Sequence, residues 1–254
     1  MRAVILFLCA ATAALSQPNT QEVRRDALRH IVQDECVPHW LQNQTATPCA
    51  SVTLSDSAHA AQGYAVLPDI KGGAHFLLIP TKTVRGIESA FLLEAEAPNY
   101  FAAAWQARAH IASQLGHSVA RDEVGFAVNP QHARTQDQLH IHIECLGPYI
   151  HGVLQEVAAQ LTDQWSPLRL AAGEYAALRV TGEDLNFANP FQLLAKRMPG
   201  ARSNMGAYTL LLAGMQFKEG PGFIVLAGKN VPGTETLLDS SCAIAAHTNP
   251  HPAS

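Results

Sequence analysis

The spacing of apolar and polar positions divides this chain into short strands interleaved with amphipathic helices. Between Thr20 and Leu41 the apolar residues Val23, Leu28, Ile31 and Val32 recur at near-helical spacing among charges, which predicts an N-terminal helix with one packing face. Residues 43–63 are rich in Thr, Ser, Ala and Gln and read as loop, with one short strand at Ala50–Leu54. Gly63–Leu67 and His75–Pro80 then form a predicted hairpin, because the run Pro68-Asp-Ile-Lys-Gly-Gly73 between them is turn-forming.

Further along, Tyr100–Leu115 carries alanines and spaced apolar residues around Trp105 and ends at Gly116, the pattern of a long helix with Trp105 in the core. Strands follow at Val124–Asn129 and Leu139–Leu146, joined by a polar loop, and helical spacing resumes over Val153–Trp165. The last third predicts a strand at Tyr175–Val180, a short helix at Pro190–Arg197, and a hairpin of Ala207–Gly214 with Gly222–Ala227. Strands in consecutive groups, broken by helices, argue for an α+β fold with a mainly antiparallel sheet rather than a doubly wound one. No linker or repeat divides residues 17–246, which read as one domain. Neither G-x-G-x-x-G nor a P-loop occurs, so nucleotide binding by a glycine-rich turn is not indicated.

The chemistry concentrates in Gln138-Leu-His-Ile-His-Ile-Glu-Cys145. On a strand, Gln138, His140, His142 and Glu144 share one face while Leu139, Ile141, Ile143 and Cys145 share the other. Two adjacent imidazoles supply a nucleophile and a proton donor at neutral pH. They also supply two metal ligands, and with His75 and Glu144 they would complete a metal set.

Charge and cysteine usage narrow the setting. A net charge of −4 lacks the basic excess that sequence-independent nucleic-acid binding requires. Met1-Arg2 and the apolar run Ala3–Leu15 resemble a signal peptide cleaved before Gln17, since the run is shorter than the roughly 20 residues that span a bilayer. Beyond that segment Cys36, Cys49, Cys145 and Cys242 remain, an even set suited to an oxidising compartment. Of the three possible pairings, Cys36–Cys49 across a short polar loop is favoured, which leaves Cys145–Cys242. Residues 247–254, rich in Pro, His and Asn, read as a disordered tail.

Two separated segments resemble the histidine triad superfamily: His75-Phe-Leu-Leu-Ile-Pro-Thr-Lys82, and the stretch from Val128-Asn129 through Gln136 to His140-Ile-His142. Asn129 lies eleven positions before His140 and Gln136 four before it, offsets that match a familiar arrangement of that superfamily. Gly86-Ile-Glu-Ser89, Trp105-Gln-Ala-Arg108, Arg134–Cys145 and Asn204-Met-Gly-Ala-Tyr208 narrow the resemblance to the exported CDP-diacylglycerol diphosphatase family. That resemblance implies a histidine-triad-like fold with a long helix and extra C-terminal strands. It also implies cleavage of CDP-diacylglycerol to CMP and phosphatidate through a nucleotidyl-histidine, without metal or cofactor. The implied setting is the bacterial periplasm, associated with the inner membrane through the lipid substrate.

One position departs from the pattern: Glu144 stands where a third histidine is expected. If Asn129 and Gln136 fix the register, His142 is the nucleophile and His140 its assistant; if Gln138 takes the first position, His140 is the nucleophile. The first register is favoured. Glu144 would orient the nucleophile, Gln136, Asn129 and Gln138 would bind phosphate oxygens, His75 would join the cluster and Asp69 would bind ribose hydroxyls. Lys82 and Arg134 are candidates to meet a pyrophosphate, against the simpler reading of solvated loop charges.

Overall fold

The structure is a computed structural model and describes residues 25–55 and 63–245. The expected signal peptide, the start of the N-terminal helix and the C-terminal tail lie outside those residues. Its centre is one antiparallel sheet of ten strands: β1 (Ser51–Thr53), β2 (Tyr64–Pro68), β3 (Phe76–Pro80), β4 (Val124–Val128), β5 (Ile141–Leu146), β6 (Ser166–Leu170), β7 (Gly173–Thr181), β8 (Tyr208–Phe217), β9 (Gly220–Lys229) and β10 (Leu238–Asp239). The spatial order is β1-β2-β3-β5-β4-β8-β9-β7-β6, with β10 paired to the end of β5. The α+β class and antiparallel sheet expected from the strand pattern are present.

The first helix, α1, has α-helical turns at Ala27–His30 and Val37–Asn43 around a wider π-helical stretch at Ile31–Cys36. Pro38 lies two residues beyond that stretch and, having no N–H, cannot bond back to the carbonyl of Asp34 within it. The predicted helix over 100–115 is two helices, α2 (Tyr100–Ala107) and α3 (Ala109–Leu115), separated at Arg108. Asn99 caps α2 by accepting from the Ala102 N–H, and Gly116 closes α3 in the left-handed conformation. Helix α4 runs over Pro148–Val157 rather than Val153–Trp165, because Pro148 fits the first helical position after Gly147 and only a 3-10 turn, Ala158–Gln160, continues it. Residues 161–165 at the end of the expected helix are neither helix nor strand, and β6 starts immediately after them in a hairpin with β7. Helix α5 (Pro190–Arg197) starts where expected, with Asn189 capping the Phe191 N–H.

Packing explains where the site falls. One sheet face is covered along its length by α2, α3 and α5, which bury Trp105, Phe101 and Phe191 against Phe76, Phe126, Ile141, Ile143 and Phe223. Trp105 meets Phe126 and Phe223 edge-on, the core role its place in the helix predicts. The opposite face is covered in two halves: α1 packs Val32, Cys36 and Val37 on Ala65, Leu67, Leu77 and Ile79, while α4 packs Ile150 and Leu154 on Leu211, Ile224 and Leu226. Between the halves lies β5. His142 pairs across the sheet with Leu77 on one side and Ala127 on the other, so it sits in the seam between the two cores.

Both expected disulfides are formed. Cys36–Cys49 ties the end of the π-helical stretch to the loop before β1, and Cys145–Cys242 ties β5 to the C-terminal segment across a sequence separation of 97. Such a separation predicts that Cys145→Ser with Cys242→Ser lowers stability by about 2–5 kcal/mol. Denaturant unfolding of the double variant against the native protein measures it; Cys36→Ser with Cys49→Ser, closing a shorter loop, should cost less.

Candidate active site

The site grows from the register of β5 on its neighbours. The alternation of apolar residues sends Ile141, Ile143 and Cys145 into the main core and turns His142 and Glu144 to the opposite face. On β3 the pairing of Phe76 with Ile143 brings His75 alongside Glu144. The strand begins at Ile141, not at Leu139, so His140 and Gln138 belong to the segment leading into it.

Three buried side chains and the partly buried Asp69 form a row. His75 Nε2 lies 3.0 Å from His142 Nδ1 and 3.1 Å from Glu144 Oε1, and its Nδ1 faces Asp69 Oδ1 at 3.7 Å. Desolvation pushes Glu144 up to about 8, with Asp69 and Glu235 adding to the effect, so its carboxyl is neutral at neutral pH. His75 Nε2 therefore stands between two hydrogen-bonding groups in a proton network, rather than in an ion pair. Burial and the neighbouring His142 lower His75 to about 4, and the same two causes lower His140 to about 4. Both rings are neutral at neutral pH. Because His140 Nδ1 lies 2.8 Å from the Gln138 carbonyl, it carries the proton and leaves Nε2 as an acceptor. His140 is thus unsuited to the proton-donor role expected beside His142.

Sequence reasoning missed Glu235. It lies on the 3-10 turn Thr234–Leu237, and its Oε2 is 2.9 Å from His142 Nε2. The carboxylate sits off the ring N–H axis, so this is a close charge contact and His142 Nε2 has no aligned hydrogen bond. Interaction with His142 outweighs burial, and with help from Asn129 it lowers Glu235 to about 2, which keeps it ionised. The one signal that points toward this residue in the sequence is the Cys145–Cys242 pairing, which brings residues near 242 beside β5.

These groups open on a cavity of about 610 Å³ lined by Asp69, Lys71, Asn129, Thr135, Gln136, His140, His142 and Glu235 on its polar side. The rest of its lining is apolar and includes Ala27, Leu28 and Ile31 of α1, with Pro48, Leu67, Ile70 and Leu77. The α1 wall is pinned to the loop before β5, since Gln136 Oε1 accepts from the Leu28 N–H and Arg25 grips Asp137 through two bonds of 2.7 and 2.9 Å. A larger cavity, about 700 Å³, lies around β7 and α5 and contains none of these imidazoles.

The remaining candidates have structural partners. Arg134 is buried, doubly bonded to Glu88 at 2.7 Å and joined to Asp137, and it crosses Gly86 so closely that a Cβ there would lie 2.3 Å from the guanidinium. Gln138 donates to the Pro80 and Lys82 carbonyls and accepts from the Val84 N–H, which holds the segment after β3 against β5. Lys82 is exposed, with its ammonium over the Phe91 ring. None of these three lines the large cavity beside His142. His75, His142 and Glu144 offer ligand atoms within 4.8 Å of one another. Two of those nitrogens, on His75 and His142, engage each other in a hydrogen bond of 3.0 Å.

Two imidazoles and an ionised carboxylate on one cavity, backed by His75 and a neutral Glu144, are groups suited to hydrolysis. The family model described as CDP-diacylglycerol pyrophosphatase matches residues 23–246, and the chain belongs to that family. A CDP-diacylglycerol pyrophosphatase from Yersinia pestis is 39% identical over 230 residues, covering 87% of this chain and 86% of the relative. The chain is accordingly a hydrolase. Its disulfides fit an exported protein, and among the described residues no helix is long and apolar enough to cross a membrane.

The acid-side pH dependence of stability follows from Asp137. Its hydrogen bond to Arg25, aided by Arg134, holds its carboxyl well below the usual range. A lowered carboxylate contributes stability above its unfolded pKa of about 4, and that contribution is lost as pH falls toward the folded value. The thermal midpoint should therefore drop below about pH 4, and Asp137→Asn should start lower and flatten that drop.

Proposed function

We propose that this hydrolase cleaves the pyrophosphate of CDP-diacylglycerol, giving CMP and phosphatidate, through a nucleotidyl-His142 intermediate on a histidine-triad-like fold. The observation that carries the reading is the divided lining of the cavity: imidazoles, amides and charged groups on the one hand, and apolar residues from α1, β2 and β3 on the other. A substrate with a nucleotide at one end and acyl chains at the other matches that division. The name of the 39% identical relative supports the same substrate. Export to the periplasm, with access to lipid at a membrane surface, is part of the proposal.

The proton network supports His142 as nucleophile. With the His75 Nδ1–H directed to Asp69, His75 Nε2 accepts from the His142 Nδ1–H, and His142 Nε2, once the proton that draws Glu235 to it has left to solvent, presents its lone pair to the cavity. In-line attack by Nε2 on the cytidylyl phosphorus forms the P–N bond, breaks the P–O bond and releases phosphatidate. Phosphatidate departs as a stable phosphate, so this step does not depend on a strong acid. Asn129 and Gln136, both at the cavity wall, are positioned to hydrogen-bond the phosphoryl oxygens, and water completes the reaction.

Two experiments test this. His142→Ala should reduce CMP release from CDP-diacylglycerol by at least about 10³-fold, as loss of a nucleophile does. Ile31→Asp should lower kcat/KM for CDP-diacylglycerol at least tenfold while leaving a water-soluble CDP-alcohol within about twofold, since one buried charge affects only the apolar half. Equal losses on both substrates would remove the lipid assignment.

Glu144 sets an upper pH limit. Above about 8 its carboxyl ionises, and an anion 3.1 Å from His75 Nε2 draws a proton onto the nitrogen that must accept from His142. Activity should fall through that pH, and Glu144→Gln, permanently neutral, should retain activity and displace the fall to higher pH. A pH profile of kcat for the two proteins checks it.

A further inference from the structure

Glu235 has no part in the attack just described, yet it is the charged group nearest the attacking atom. We infer that Glu235 is the catalytic base of the second half-reaction, taking a proton from the water that hydrolyses nucleotidyl-His142. The inference rests on the proposed intermediate and adds the group that resolves it.

Three observations carry it. The first is position: Oε2 lies 2.9 Å from His142 Nε2, so a phosphorus bonded to that nitrogen must displace the carboxylate sideways and leave it beside the reacting centre. The second is rigid delivery. Thr234 is fully buried, its N–H donates to Thr209 Oγ1 at 2.8 Å and its hydroxyl donates to the Leu210 carbonyl at 2.6 Å. Gly233 packs so tightly on Asn129 that a Cβ there would lie 2.0 Å from Oδ1, and beyond the turn β10 pairs with β5 next to the Cys145–Cys242 bridge.

The third is the lack of a better base among the described residues. Glu144 is a neutral acid behind His75, and Asp69 receives the Lys71 N–H and faces His75. The charged and titratable groups acting on Glu235 or sharing its cavity are His142, His140, His75, Glu144, Asp69 and Lys71. When His142 carries the phosphoryl group, an anion replaces the free ring as the near neighbour, and the carboxylate accepts a proton more readily than in the free enzyme.

The step balances. Water oxygen bonds to phosphorus, its proton passes to the Glu235 carboxylate, and the P–N bond breaks with its electron pair returning to Nε2. CMP departs, and the proton on Glu235 leaves to solvent.

The test uses the full-length protein and CDP-diacylglycerol labelled in the cytidine half, quenched in alkali, where a phosphorus–nitrogen bond to histidine persists. Glu235→Gln should release one equivalent of phosphatidate per enzyme at a rate within about threefold of native, then turn over roughly 10²-fold more slowly, with label held on the protein. A slowed first release without retained label, or native turnover, overturns the role of Glu235. If native enzyme and Glu235→Gln both carry no more label than His142→Ala, the intermediate itself is refuted and the inference falls with it. Glu235→Ala with added formate is a second measurement that is independent of side-chain fit: restored hydrolysis of the trapped intermediate supports the base role, and no restoration in a folded variant counts against it.

Discussion

The pairing of β5 between β3 and β4 is the constraint on which the rest of the structure depends. Its odd-numbered residues fill the core under α2 and α3, so its even-numbered residues cannot avoid the opposite face. There α1 and α4 cover separate halves of the sheet and leave β5 in the seam. A slip of one residue in this strand would bury His142 and Glu144 among Phe76, Phe126 and Trp105 and expose the isoleucines. The cost of that exchange fixes the site geometry more firmly than any contact within the site. β10 and the Cys145–Cys242 bridge hold the same strand from its far end.

Burial in that seam then determines the protonation states. Desolvation favours the uncharged form of three buried groups there: His75 and His140 lose their protons and Glu144 keeps its own. Glu235 is the exception, because it approaches from the half-exposed C-terminal turn and meets His142 and Asn129. The result is a neutral relay behind the ring and one anion in front of it. Charge is placed only where the chemistry changes it, an arrangement in which electrostatic stabilisation needs little reorganisation.

Much of the fold was legible in the sequence because β5 alternates apolar and polar residues while β3, β4, β8 and β9 are apolar runs bounded by turn residues. The errors have physical causes. Apolar spacing over Val153–Trp165 suggested a helix, but Pro148 started that helix earlier and the chain left it by a 3-10 turn at Ala158–Gln160, ahead of the strand that pairs with β7. Arg108 stacks on Trp105 and marks a break that periodicity alone does not register. Within the site, residues on or next to the motif strands were readable: His75, His140, His142, Glu144 and Asn129 are drawn together by register. Gln138 and Arg134 also lie in that motif, yet their side chains are taken up by backbone carbonyls and by Glu88, partners whose proximity exists only in three dimensions. Glu235 arrives from 93 residues beyond His142, on a turn without a motif, and only the disulfide hinted at its approach.

The central claim is that His142 Nε2 becomes covalently attached to the nucleotide. The most direct measurement is to quench the enzyme in alkali during turnover, digest it, and locate the cytidylyl mass on a peptide by fragmentation. The account predicts modification at His142 alone. Modification at His140, or none in enzyme that is actively releasing CMP, would contradict it.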